Sequence, residues 1–98
     1  MDEGFEFDPA KSAANRDKHG IDFVEAQGLW TVPAWEQDLP YEGEPREQRT
    51  GMIGGKLWSA VYTKRGAAIR IISVRRARRD EAEDYGRYIA EQGKDDEY

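Results

Sequence analysis

Lys18 and His19 stand side by side just before Gly20, and His19 is the only histidine of the chain. An imidazole titrates near neutrality, so it can take up or deliver a proton during a reaction. The ammonium beside it can stabilise developing negative charge. A second group lies far along the chain. Arg75, Arg76, Arg78 and Arg79 place four guanidiniums within five positions, at the end of the hydrophobic run IRIISV. Residues 64–79 hold seven cations and no acid, although the whole chain has a net charge of −5. A compact cationic island between acidic flanks is a place for an anion, above all phosphate, to dock. Each group also has a plainer interpretation. A histidine in the last turn of a helix complements its dipole, and surface arginines commonly pair with nearby acids for little energy. Successive helical residues also point about 100° apart, so Lys18 and His19 can face one site squarely only if the helix is already fraying there.

Other chemistries lack their residues. One histidine, no cysteine and scattered carboxylates form no metal-ligand spacing, and no P-loop, dinucleotide fingerprint or nucleophile elbow is present. Neither a metal nor an organic cofactor is expected. The acidic start MDEGFEFD is unlike a signal peptide, and no apolar run approaches the ~18 residues of a membrane span. A cytoplasmic protein with no membrane partner is expected.

The elements that would position these residues follow from local patterns. Asp8-Pro9 is an N-cap followed by proline at the first helical position, and Gly20 is a C-terminal stop, which predicts a helix over 9–19. Ala10, Ala13 and Ala14 would form its packing face. Asp22 and Glu25 have capping-box spacing for a second short helix that buries Phe23, Ala26 and Trp30. Residues 31–37 are expected as an edge strand, followed by an acidic loop over 38–45. Three strands over 47–55, 56–63 and 67–75 then form a meander, and the third is apolar enough on both faces to run through the middle of the sheet. A helix from about Arg78 would bury Ala82, Tyr85 and Ile89. The expectation is one α+β domain over 1–98, ordered over about 5–92 with an acidic disordered tail at 93–98. It is a small antiparallel meander packed with two N-terminal helices and one C-terminal helix. The arginine island then falls where the last strand leads into the last helix, whose N-terminus itself favours anions. Arg49 and Arg70, on neighbouring strands, would extend it across the sheet. Tyr62, sharing a strand face with Trp58, could stack on a base or donate to a phosphate, although core burial is the more ordinary fate of such a pair.

Three stretches together resemble one known family: FEFDPAKSAANRDKHGIDFVEA, REQRTGMIGGKLWSAVYTKRG and IRIISVRRARRDEAEDY. The family pattern is an aromatic-rich start ending in Asp, here Phe5 to Asp8, and a K-x-x-x-N-x-x-K-H-G helix, here Lys11, Asn15, Lys18, His19 and Gly20. It continues with E-x-R at Glu47 and Arg49, V-Y-T at Val61 to Thr63, and I-R-I-I-S-x-R-R-A at Ile69 to Ala77. Over roughly residues 5–90 the chain is similar to the BrnT family of type II toxin–antitoxin ribonuclease toxins. The resemblance implies a RelE-like fold, metal-independent endoribonuclease activity on RNA, and neutralisation by a cognate BrnA-like ribbon-helix-helix antitoxin. DNA would be contacted only indirectly, through the antitoxin. Cleavage would use the RNA 2′-hydroxyl as nucleophile, with His19 as proton shuttle and Lys18, Arg49, Arg75 and Arg76 stabilising the doubly charged phosphorane. Arg70, Tyr62, Arg78 and Arg79 would bind the rest of the RNA. Family members usually have Ser or Thr where this chain has Arg78, so a later helix start capped by Asp80 is expected. The alternative function is a non-catalytic module whose island docks an antitoxin.

Overall fold

The computed structural model describes residues 4–40 and 42–95. Its elements run β1 (Phe5–Glu6), α1 (Pro9–His19), α2 (Phe23–Ala26), a 3₁₀ turn (Gln27–Trp30), β2 (Ala34–Leu39), β3 (Arg46–Ile53), β4 (Lys56–Arg65), β5 (Ala68–Arg76) and α3 (Arg79–Asp95). The sheet order is β1-β5-β4-β3-β2. The three-strand meander is antiparallel, and β2 adds to it antiparallel through Arg46–Ile53. β1 pairs parallel to β5, Phe5 with Ile69 and Glu6 with Arg70, so the sheet is mixed rather than wholly antiparallel. A parallel partner needs a crossover, and here nearly the whole chain lies between the two strands.

The middle strand is β4, not β5. The apolar character of β5 on both sides has a different cause, a bulge. Tyr62 pairs with Ile71 and Val61 with Ser73, which leaves Ile72 as the extra residue. Ile71 and Val74 therefore share the core face although they are three apart, at 2% and 0% exposure. They pack with Trp58 and Ala60 of β4 against Ile21, Phe23, Ala26 and Leu29. Phe23 and Ala26 are buried as their spacing predicts, whereas Trp30 lies at the edge of the cluster and Leu29 takes the deep position.

Helix α1 begins and ends as its caps require. The Asp8 side chain accepts from the Ala10 N–H at 2.9 Å, and Gly20 adopts φ 84, a left-handed conformation that suits glycine. Its inner face is not the alanine one. Ala10, Ala13 and Ala14 are exposed, and Ser12 and Asn15 are buried instead. The reason is that the helix borders open backbone groups of β5 and of the turn into α2, which polar side chains satisfy and alanines cannot. Ser12 Oγ accepts from the Phe23 N–H at 2.9 Å. Asn15 Nδ2 donates to the carbonyls of Ile21 and Val74 at 2.8 and 2.9 Å, and its Oδ1 accepts from the Val74 N–H at 3.2 Å. The Asn15 amide thus pairs with β5 beyond the end of β1, as a short strand would.

Helix α3 packs on the other face of the sheet, over β2 and β3. That face is polar in its depth, with Gln48, Thr50, Ser59 and Thr63 buried. Ala82, Tyr85 and Ile89 are half-buried on it. The helix starts at Arg79, earlier than an Asp80 cap would allow, because Glu81 reaches back to accept from the Arg78 N–H at 2.9 Å. This is the N3 half of a capping box and replaces the missing Ser or Thr. α3 also continues through Asp95, past the expected end of the ordered part at 92; residues 96–98 of the expected tail lie outside the described residues.

Candidate active site

Asn15 joins the edge of β5 to the middle of α1, and the space beside that joint is an open groove of about 230 Å³. Lys11, Ala14, Asn15, Lys18 and His19 line it from α1, Phe23 from α2, and Ile72 and Ser73 from the bulge of β5. Lys18 and His19 therefore line the same groove. Lys18 lies on the same helix face as Lys11, seven residues and about two turns away. His19 is the last residue of α1 and borders the groove where the chain turns out through Gly20.

The charge pattern separates this groove from the rest of the surface. Among the described residues, Arg16, Arg49, Lys64, Arg65, Arg70, Arg75, Arg79 and Arg87 each have a carboxylate partner. Among the described residues Lys11, Lys18 and His19 have none and line one groove, while Lys56 at a hairpin turn and Arg76 and Arg78 ahead of α3, also without one, lie outside it. Among the described residues, two lysines and a histidine thus stand without a carboxylate partner at one concave place.

The arginine island is organised differently. Arg75 donates through both terminal nitrogens to Glu81 at 2.8 Å each, and Ser59 donates to the same carboxylate at 2.9 Å. Ser59 in turn lies 2.7 Å from Thr50 Oγ1. Burial alone would raise the Glu81 pKa, but the bonds from Arg75, the Arg78 N–H and Ser59 outweigh it and bring it to about 2. Arg75 is thus a half-buried strut between β5 and α3. Its neighbour Arg76 points to the opposite face, over the Trp58 ring with its Nε 3.3 Å from the Leu57 carbonyl, and remains exposed. Arg78 and Arg79 are exposed at the start of α3, and Arg79 pairs with Glu83 at 3.6 Å. Arg70 sits 3.6 Å from Glu6 on the neighbouring β1.

Arg49 and Tyr62 form a third, internal centre around Glu36. Arg49 donates to Glu36 at 2.8 Å and to the Leu29 and Val32 carbonyls, with its guanidinium over the Trp30 ring. Tyr62 is 1% exposed and donates to Glu36 at 2.7 Å. Burial first, and then the Glu36 and Glu47 carboxylates, push its ionisation far above the usual tyrosine range. No face of Tyr62 is open to a base, so its part in RNA binding gives way to a core role. Arg49 likewise fastens the 3₁₀ turn to the sheet.

The structure therefore gathers Lys18 and His19, leaves Arg76, Arg78 and Arg79 exposed on the surface, and commits Arg49, Tyr62 and Arg75 to scaffolding. Ile72 and Ser73, and Lys11 as part of the groove wall, were missed from sequence. The seven-residue spacing of Lys11 and Lys18 was a usable signal for one helix face. Nothing local marks Ile72 and Ser73, because a bulge is defined by pairing with another strand.

A comparison with curated proteins found no match. A family model described as "Ribonuclease toxin, BrnT, of type II toxin-antitoxin system" matches residues 7–81. That span contains every residue of the groove and the Arg75–Glu81 strut. The chain belongs to the BrnT family of ribonuclease toxins of type II toxin–antitoxin systems.

Proposed function

We propose that this protein is an endoribonuclease that cleaves RNA without a metal, in the groove between α1 and β5. The observation that carries this reading is the grouping of Lys11, Lys18 and His19, uncompensated, around one cleft. The RNA 2′-oxygen attacks the adjacent phosphorus, the bond to the 5′-oxygen breaks, and a 2′,3′-cyclic phosphate and a 5′-hydroxyl remain. His19 takes the 2′-hydroxyl proton and returns a proton to the departing 5′-oxygen. Lys18 and Lys11 stabilise the charge that builds on the phosphorane. The exposed guanidiniums of Arg76, Arg78 and Arg79 hold flanking phosphates, and Arg75 and Arg49 act through the scaffold. A donor set of one histidine and no cysteine supports a route without metal.

The partner is a cognate BrnA-like ribbon-helix-helix antitoxin, which would bring the complex to DNA indirectly, and the site of action is the cytoplasm. The second reading, a non-catalytic module that binds the antitoxin, draws support from the pairing of five of the seven island cations with carboxylates.

One assay separates the two. Purified protein should cleave RNA in EDTA and leave 2′,3′-cyclic phosphate ends. His19→Gln should keep fold and antitoxin binding while slowing cleavage by ~10²-fold or more. Cleavage lost in EDTA and restored by magnesium sinks the metal-free route. No cleavage by folded wild-type protein, with antitoxin binding intact, selects the second reading.

A further inference from the structure

The bulge that places Ile72 in the groove also gives the groove two unlike sides. Lys11, Lys18 and His19 lie along the α1 side, two turns of helix or about 10 Å from end to end. The remainder is formed by Ala14 and Ile72, with Phe23 almost wholly buried beneath and Ser73 at the rim, while the Asn15 amide is already spent on three backbone groups. A pocket for an isolated phosphate surrounds it with donors. This groove instead offers a line of cations beside an apolar patch. Single-strand binders have cations that follow the backbone and aromatic side chains that receive the bases; here aliphatic side chains stand where that platform would be.

We propose that Ile72 and Ala14 form a nucleobase subsite, which receives one unstacked base while the flanking phosphates follow Lys11 and Lys18. The proposal rests on the groove being the RNA site. It makes the preferred ligand a single-stranded, locally unstacked RNA, because bases within a duplex have their faces buried against their neighbours. A duplex would also bring a second row of phosphates to the Ile72 side, where the groove has no cation, in a protein of net charge −5. Ile72 is then the specificity-determining residue of the groove, and β5 reaches it only through the bulge.

The test is fluorescence anisotropy with a labelled single-stranded RNA whose 2′-hydroxyls are methylated, so that cleavage is blocked. An abasic strand of the same length and a duplex of the same strand serve as comparisons. The single strand should bind at least ~10-fold more tightly than either, toward the lower end of what a base stacked on an aromatic side chain contributes. Ile72→Ser should reduce its affinity to the abasic level and leave the abasic strand unchanged. Equal affinity for single and abasic strands, or for single strand and duplex, overturns the subsite whether or not the variant folds. If Lys11→Ala and Lys18→Ala alter binding of no probe, RNA does not use the groove, and the underlying reading fails instead.

Discussion

Replacing Asn15 by alanine removes the joint between the two walls of the groove. The side chain is 8% exposed and makes three hydrogen bonds, to the Ile21 carbonyl and to both the carbonyl and the N–H of Val74. Each such bond is worth about 1 kcal/mol net, and the backbone groups left behind are buried, so the loss should be about 3–4 kcal/mol. For a domain of this size that corresponds to a fall in the unfolding midpoint of roughly 15–20 °C. Ser12→Ala, which removes only the bond from the Phe23 N–H, should cost about 1 kcal/mol. Asn15→Asp keeps the acceptor for the Val74 N–H but sets a carboxylate against two carbonyls, so it should be no milder than alanine. Urea unfolding of the three variants, monitored by tryptophan fluorescence, measures the series. The folded fraction of Asn15→Ala should also cleave RNA more slowly, because α1 is no longer pinned to β5. If Asn15→Ala costs no more than Ser12→Ala, the amide is not what holds the groove together.

The paired arginines should part company on mutation. Arg75→Ala leaves the Glu81 carboxylate buried without its cation and should cost about 3 kcal/mol, whereas Arg76→Ala removes an exposed cation–π contact and should cost less than ~1 kcal/mol. Urea titrations decide between this order and equal small losses. Acid should act through Glu81, whose folded-state pKa of about 2 lies below the ordinary 4.5. Its contribution to stability is therefore whole above about pH 4.5 and is lost as pH falls toward about 2. Glu81→Gln should flatten that part of the stability–pH curve, and an unchanged acid limb would show that other carboxylates govern it.

The local signals in the sequence were those that depend on near neighbours. Asp8-Pro9 and Gly20 set the limits of α1, Asp22 and Glu25 form both halves of their capping box, and the Gly54-Gly55 turn, with φ of 60 and 80, connects β3 to β4. Each is decided by backbone dihedrals and hydrogen bonds within a few residues, so the sequence states it directly. The family signature was legible for the same reason, as motifs in fixed order.

Which side chains remain available for chemistry was a different matter. The arginine island looked like one site in sequence, yet its members part by strand alternation: Arg75 turns toward Glu81 and Arg76 toward Trp58. Glu81 is six residues from Arg75, but Ser59 and Thr50, which complete its network, come from two other strands. Tyr62 and Arg49 likewise find Glu36 only because β2, β3 and β4 lie side by side. The sequence by itself determined the helix caps, the turns and the supply of cations. The tertiary structure decided which cations are neutralised and which stay open, because that depends on strand register, on the bulge at Ile72 and on the buried carboxylates that packing brings to each guanidinium.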